Sequence, residues 1–242
     1  MKGKLIVVGT GLQLGHLTID AKNAIENAKK VLYLISDPIT ESYIKDINKT
    51  AESMIKFYAE GKERKKTYSE IIDYIMKTLL EYNDLCVAFY GHPGVFTYPS
   101  HKVIEKAVEQ EYEAKMLPSV STEDMMFCDL GIDPGTYGLQ SFEANQLLLE
   151  DIEYDTRCCI VIWQIGVIGD YNYNKNPDIK DNLNRLRDKL LMKYPKDHEV
   201  VLYLASNHRI FDSTIIKTEL QNLEKTKFDP ISTMIILPKR TN

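Results

Sequence analysis

Hydrophobic positions in this chain fall into short runs separated by segments with helical periodicity. "KLIVVG" is continuous enough for a strand buried on both faces. It runs into "TGLQLGHLTIDAKNAIENA", where Ala21, Ala24, Ile25 and Ala28 share one helical face and Thr18 or a neighbour supplies the cap. "KKVLYLIS" predicts a second strand, stopped by Asp37-Pro38. In "TYSEIIDYIMKTLLEY", Thr67 and Glu70 have capping-box spacing and Ile71, Ile72, Ile75, Met76, Leu79 and Leu80 follow at helical intervals, which puts Tyr68 in the first turn. "DLCVAFYG" predicts a buried strand, Ser100 opens a helix over "HKVIEKAVEQ", and "AKMLPSVSTEDMMF" passes from strand to turn to a second box, Ser121 with Asp124. The second half repeats the style with strands "CCIVIW", "EVVLYLAS" and "STMIILP" and the helix "DNLNRLRDKLLMKY". Strands alternating with helices predict an α/β fold. We divide it into two α/β lobes, 1–117 and 118–242, at Leu117-Pro118.

Composition narrows the function classes. A chain of 242 residues, 44% hydrophobic and 27% charged, buries a sizeable core. No apolar run approaches the roughly 20 residues that span a bilayer, and "MKGKLIVVGTG" lacks a signal peptide's h-region and cleavage site, so a cytoplasmic protein without membrane partners is expected. Cys86, Cys128, Cys158 and Cys159 form no CxxC and sit mostly in apolar segments, as reduced core thiols do. A formal net charge of -5 gives no general drive towards nucleic acid. Lys62, Arg64, Lys65 and Lys66 are the local exception.

Three motifs bear on chemistry. "GTGLQLG" (Gly9, Gly11, Gly15) follows the first strand, but its spacing is not GxGxxG and no acidic ribose partner stands downstream, so a tight turn or another ligand is favoured over a nicotinamide. "FYGHPGVF" places a rigid turn at the end of a buried strand, where α/β proteins bind ligands; a purely structural turn reads equally well. His16, His92, His101, His198 and His208 lack ligand spacing, so no metal site is expected. "KFYAEGKERKKTYSE" (residues 56–70) holds no carboxylate pair, Cys-His spacing or serine elbow, and any chemistry there rests on tyrosine and arginine.

Together, "VVGTGLQLGHLTIDA", "FYGHPGVFTYPSH", "MLPSVSTEDMMFCDLGIDPG", "WQIGVIGD" and "DPISTMIILP" resemble the tetrapyrrole methylase superfamily, and more narrowly the borosin group of peptide-backbone α-N-methyltransferases. The resemblance runs in order along essentially the whole chain. It implies a two-lobed α/β fold with S-adenosylmethionine in the active-site cleft between the lobes, S-adenosylhomocysteine as product, and a homodimer. Borosin enzymes carry a Tyr-x-x-Gly-Lys-x-Arg-x-x-Thr-Tyr segment at the methylation site, matched here by Tyr58, Gly61, Lys62, Arg64, Thr67 and Tyr68. The resemblance puts Tyr90, Gly91, His92, Val95 and Phe96 around the methionine part of the cofactor, with Ser121 and Thr122 beginning the second lobe's contacts. Gln164, Tyr203, Ala205, Ser232 and Thr233 then line its adenosine side. Thr122 stands where relatives often have alanine.

The chemistry has its own logic. An amide nitrogen is a poor nucleophile because its lone pair is delocalised into the carbonyl. Methylation needs the N–H proton removed and the charge developing on oxygen stabilised. Arginine stays protonated, but it lowers the pKa of a neighbouring tyrosine. Tyr58 is the expected base, Arg64 its electrostatic partner and Tyr68 the donor to the oxyanion, and exchanging the two tyrosines satisfies the same logic. Fungal relatives of the borosin group are longer and carry their own substrate; this chain ends at Asn242, so the expected substrate is a separate precursor peptide, encoded nearby. The alternatives are a tetrapyrrole or precorrin C-methyltransferase and, in another class, a non-catalytic peptide- or RNA-binding module built on the lysine run.

Overall fold

The computed structural model describes residues 3–239, which form two compact units. One unit extends to Met125 and takes in Ser206–Phe211; the other comprises Met126–Ala205 and the chain from Asp212 onward.

The first unit alternates strand and helix. In chain order it contains β1 (Lys4–Gly9), α1 (Ile19–Asn27), β2 (Lys30–Leu34), α2 (Pro38–Ile47), β3 (Glu52–Ser53), α3 (Arg64–Tyr82), β4 (Asp84–Phe89), α4 (Tyr98–Glu109) and β5 (Glu113–Leu117). The strands form an entirely parallel sheet in the order β3-β2-β4-β1-β5. Side-chain alternation along each strand builds two apolar layers. Leu5 and Val7 of β1, Leu32 of β2, and Leu85, Val87 and Phe89 of β4 pack with Ile71, Ile75 and Leu79 of α3 and Val103 and Ala107 of α4. Val8, Val31, Tyr33, Cys86 and Ala88 face the other way, onto Ala21 and Ile25 of α1 and Ile44 of α2. The helices therefore cover both faces, and near-continuous apolar strands are what such a sheet requires.

The second unit is built differently. After α5 (Thr122–Leu130), in which the division between the units falls, come α6 (Pro134–Tyr137), β6 (Leu139–Glu143), α7 (Ala144–Leu149), β7 (Cys159–Trp163), α8 (Lys180–Leu191), β8 (Glu199–Leu204), β9 (Thr214–Glu219) and β10 (Thr233–Ile236). The sheet order is β6-β7-β10-β8-β9. β6 and β7 are parallel, while β10 runs antiparallel to both β7 and β8, and β9 antiparallel to β8. One face is closed by Leu147 of α7, Leu183, Leu186 and Leu190 of α8, and Leu220 and Leu223, against Ile160, Ile162, Val200, Leu202, Met234 and Ile236.

Several elements differ from the sequence expectation. Asp37-Pro38 ends β2 and also starts α2: the Asp37 carboxylate accepts from the N–H groups of Ile39 and Thr40, with proline in the first turn. The long helix starts at Arg64, not at a Thr67 cap, so Tyr68 lies in the second turn and Thr67 is buried. Likewise α4 begins at Tyr98; the Ser100 hydroxyl lies inside its first turn, donating to the carbonyls of Pro93 and Thr97. The expected caps at Thr18 and Ser121 are present. Thr18 Oγ1 accepts from the Ala21 N–H, and Ser121 and Asp124 exchange bonds in both directions.

Candidate active site

The carboxyl edge of the first sheet is where its connections diverge. β1 leads through α1 to β2 on one face, and β4 leads through α4 to β5 on the other. Such a switch point is the ligand-binding crevice of open parallel sheets. Here the two departing loops are tied together: the Gly91 N–H donates to the Gly11 carbonyl at 2.8 Å, and the Gly11 N–H returns a bond at 3.2 Å. Both glycines have positive φ, +67° and +69°. Gly9 is needed for close approach instead, since a Cβ there would stand 2.4 Å from the Gly91 carbonyl oxygen and 2.6 Å from both Pro93 Cδ and Ser119 Cβ.

The loop that follows β4 carries five of the expected residues. Gly91 is buried, His92 and Val95 are half-buried, and Tyr90 and Phe96 are exposed. His92 Nδ1 accepts from the Gly94 N–H at 3.0 Å, which leaves any ring proton on Nε2. Phe96 has a φ of +50°, unusual for a bulky residue. Ser121 and Thr122 lie just after β5, at the same edge.

Tyr58, Arg64 and Tyr68 belong to this unit as well. Tyr58 closes a single 3-10 turn, Ile55–Phe57, that follows β3; Arg64 begins α3 and Tyr68 lies one turn on. All three are half-buried. The Tyr68 ring lies 6.2 Å from that of Tyr98. The Tyr90 phenol pKa is raised, first by desolvation and then by the negative charge Tyr68 would carry. The Tyr90 side chain itself is 52% exposed. The cationic run divides: Lys62 and Arg64 are half-buried, Lys65 and Lys66 exposed.

In the second unit, strand register brings the other expected residues together. Thr233 stands opposite Tyr203, and Met234 opposite both Leu202 and Ile162, so Gln164, Tyr203, Ala205, Ser232 and Thr233 gather at one sheet edge. Gln164 has a left-handed backbone, φ +59°. Tyr203 is fully buried, and its hydroxyl donates to Asp129 Oδ2 at 2.7 Å; burial raises its pKa far above the ordinary value, helped by the Asp129 charge. That phenol is thus committed to α5. Four described non-glycine residues have positive φ: Asn83 ends α3, Glu111 lies in the turn after α4, Gln164 opens the 3-10 turn Ile165–Val167, and Phe96 lies between the His92–Val95 turn and α4. Strain of this kind costs about 1–3 kcal/mol each and concentrates at functional sites.

Sequence reasoning missed Tyr98 and Asp129. The signal for Tyr98 was Pro99, which marks a helix start and so places the preceding aromatic at the strand-end edge. A shallow basin of about 670 Å³ in the second unit, lined by Gln140, Glu153, Tyr154, Asp155, Thr156 and Lys193, contains none of the expected residues. Its Lys193 is already paired with Glu153, and its Gln140 with the Asp155 backbone. Cys86 and Cys159 are buried thiols with raised pKa, the latter to about 11, whereas Cys128 is exposed. No helix among the described residues is long and apolar enough to cross a membrane.

The family described as Tetrapyrrole (Corrin/Porphyrin) Methylases matches residues 4–223. The chain belongs to that family. Its fold is that of the family's methyltransferases: a uroporphyrin-III C-methyltransferase from Thermus thermophilus, solved with S-adenyl homocysteine, superposes with a TM-score of 0.64 over 97% of this chain and 92% of that one, at 14% identity. Two curated relatives of this tetrapyrrole methylase are closer in sequence. One, 35% identical over 98% of this chain, is the methyltransferase/ribosomally synthesized cyclic peptide dendrothelin A precursor of Dendrothele bispora. The other, the corresponding omphalotin A precursor of Omphalotus olearius, is 34% identical over the same share. The chain spans 58% of the length of each.

Proposed function

We propose that this family member is a peptide α-N-methyltransferase that uses S-adenosylmethionine to methylate backbone amides of a ribosomal precursor. The observation that carries the reading is the pairing of the Tyr68 and Tyr98 rings, 6.2 Å apart, at the carboxyl edge of the first sheet, in the same unit as Tyr58 and Arg64. The sequence relatives named as methyltransferase and cyclic-peptide precursor support the substrate class.

S-adenosylmethionine, when bound, supplies a methyl group already attached to an activated leaving group. Gly9, Gly11 and Gly91 are buried and shape the loops at the switch point, and the exposed Tyr90 and Phe96 beside them offer the open surface on which such a ligand fits. Tyr90, His92, Val95 and Phe96 would hold its methionine part. At the start of α5 the ligand's uncharged side fits better: Asp124 already occupies the Ser121 groups, and Glu123 has a raised pKa from desolvation and from Asp124. A second anion is disfavoured there, so Ser121 and Thr122 suit hydroxyls. Gln164, Tyr203, Ala205, Ser232 and Thr233 are assigned to the adenosine.

The amide is prepared by this chain's own side chains. Tyr58 removes the N–H proton with Arg64 as electrostatic partner, and Tyr68 donates to the oxygen on which charge develops. Tyr90, directly after β4, adds a neutral phenol at the same sheet edge. The substrate is an extended peptide on a separate chain, and the enzyme is a cytoplasmic homodimer.

Tyr58→Phe and Tyr68→Phe are each expected to abolish methylation while S-adenosylhomocysteine affinity, measured by calorimetry, stays near wild type. Lost cofactor binding in both would contradict the roles. The family's description favours a second reading, tetrapyrrole C-methylation, for which a corrinoid precursor would change its absorbance on turnover.

A further inference from the structure

Resting on the peptide N-methylation reading, we propose that Lys62 is a positioning residue that fixes Tyr58 against α3 and thereby sets the geometry of the two catalytic tyrosines.

The peptide unit between Phe57 and Tyr58 is held at both ends. The Tyr58 N–H donates to the Ile55 carbonyl at 3.0 Å, and the Phe57 carbonyl accepts from Lys62 Nζ at 2.7 Å. With that plane pinned, the direction in which Tyr58 leaves the backbone is set within its rotamer choices. The same ammonium donates to Glu70 Oε2 at 2.5 Å, two residues beyond Tyr68 on α3. One cation thus ties the carbonyl just before Tyr58 to the helix that carries Tyr68.

Its surroundings favour a structural bond over a solvated ion pair. The Lys62 side chain is 18% exposed, unlike Lys65 and Lys66, so its charge is only partly screened. Hydrogen bonds to charged groups contribute more than neutral ones, and the turn between its partners lies at the surface: Ala59, Glu60 and Gly61 are exposed, Gly61 has a φ of +75°, and a backbone bond from the Lys62 N–H to the Ala59 carbonyl at 3.1 Å closes it. Upstream, the turn is moored by a second set of contacts. Glu52 of β3 accepts from Lys30, Lys56 and Tyr74, and the Phe57 ring packs on Tyr74 at 5.2 Å. The 3-10 turn is therefore anchored at its start by Glu52 and at its end by Lys62; the first set of contacts meets α3 at Tyr74, and the second meets it at Glu70, nearer to Tyr68.

A positioning role predicts a loss in turnover rather than in binding. The test is co-expression, then in vitro methylation of a candidate precursor peptide from a short reading frame adjoining the gene, comparing wild type with Lys62→Met, Lys62→Arg and Glu70→Gln. We expect kcat to fall at least tenfold in Lys62→Met with KM for peptide and S-adenosylhomocysteine affinity within about twofold, recovery to within threefold in Lys62→Arg, and a loss in Glu70→Gln that does not add to that of Lys62→Met. Faster amide hydrogen exchange over residues 57–63 in Lys62→Met, without a change over β1 and β4, reads the loosened turn directly and does not depend on the substrate. Unchanged kcat in Lys62→Met beside an active wild type would overturn the inference alone. A wild type that leaves the peptide unmodified would overturn the functional reading, and unchanged exchange over residues 57–63 would then remove the inference on its own evidence.

Discussion

The first sheet ends in loops whose backbones are drawn together by glycine, whereas the second brings its edge residues side by side through strand register. Around Gly9, Gly11 and Gly91 the loops close on each other with two backbone bonds, and Pro93, Ser119 and His16 pack against the glycines. Around Thr233 and Tyr203 the backbone is ordinary sheet, and position comes from antiparallel pairing plus one buried phenol that reaches Asp129. A loop edge of the first kind is defined by what cannot be there, a Cβ. The second kind is defined by what must be there, a set of partners, and tolerates change more gradually.

Substitutions at glycine probe this difference most strongly. Gly9→Ala forces a Cβ to within 2.4 Å of a backbone oxygen. It should cost about 3 kcal/mol, near the upper end for overpacking, and lower the denaturation midpoint. Gly9→Ala should also weaken S-adenosylhomocysteine binding measured by calorimetry. Equal binding in that variant would show that the glycine rim serves folding alone.

Tyr203→Phe comes next. It removes the donor to Asp129, but Asp129 is exposed and can rehydrate, so the loss should be about 1 kcal/mol in a denaturant titration. A loss of 3 kcal/mol or more would mean that the second edge is as brittle as the first.

Much of this was legible in the sequence, for identifiable reasons. The strands β1, β4, β7, β8 and β10 are apolar runs, and Thr18 and Ser121 announce their helices by cap chemistry. The start of α3 was hidden because its first turn, Arg64 to Lys66, is polar and carries no periodic signal, while Thr67 and Glu70 imitate a cap one turn later. β9 escaped notice because, as an edge strand with most of its residues exposed, it lacks an apolar run. The site motifs were visible as residue types. The placing of Ser206–Phe211 with the first unit was not, because it rests on non-local contacts such as the Gln13 side-chain donor to the Ser206 carbonyl.

Glu52→Gln separates the two moorings of the Tyr58 turn by pH. Hydrogen bonds from Lys56, then Tyr74 and Lys30, hold the Glu52 carboxyl at about 2, against an ordinary 4.5. A folded-state pKa below the unfolded one gives stability that is present above the unfolded value and lost as pH falls towards the folded one. The wild type should therefore lose this contribution between about pH 4.5 and pH 2, and Glu52→Gln should flatten that part of the denaturation profile. An unchanged slope would show that the Glu52 mooring is not made in solution. The smallest effect belongs to Gly15→Ala: nothing lies within 4 Å of the added Cβ, so stability should stay within about 0.5 kcal/mol, and a larger drop would indicate an unrecognised close approach beside the glycine rim.

The central claim is backbone N-methylation, and tandem mass spectrometry tests it most directly. The protein is co-expressed with a candidate precursor peptide from a short reading frame adjoining its gene, and both the peptide and the protein chain are fragmented. Methyl groups localised to backbone nitrogens of the peptide are the predicted result, and they should vanish in Tyr58→Phe and Tyr68→Phe. Methyl groups only on side chains, or none on peptide or protein while S-adenosylhomocysteine still binds, would contradict it.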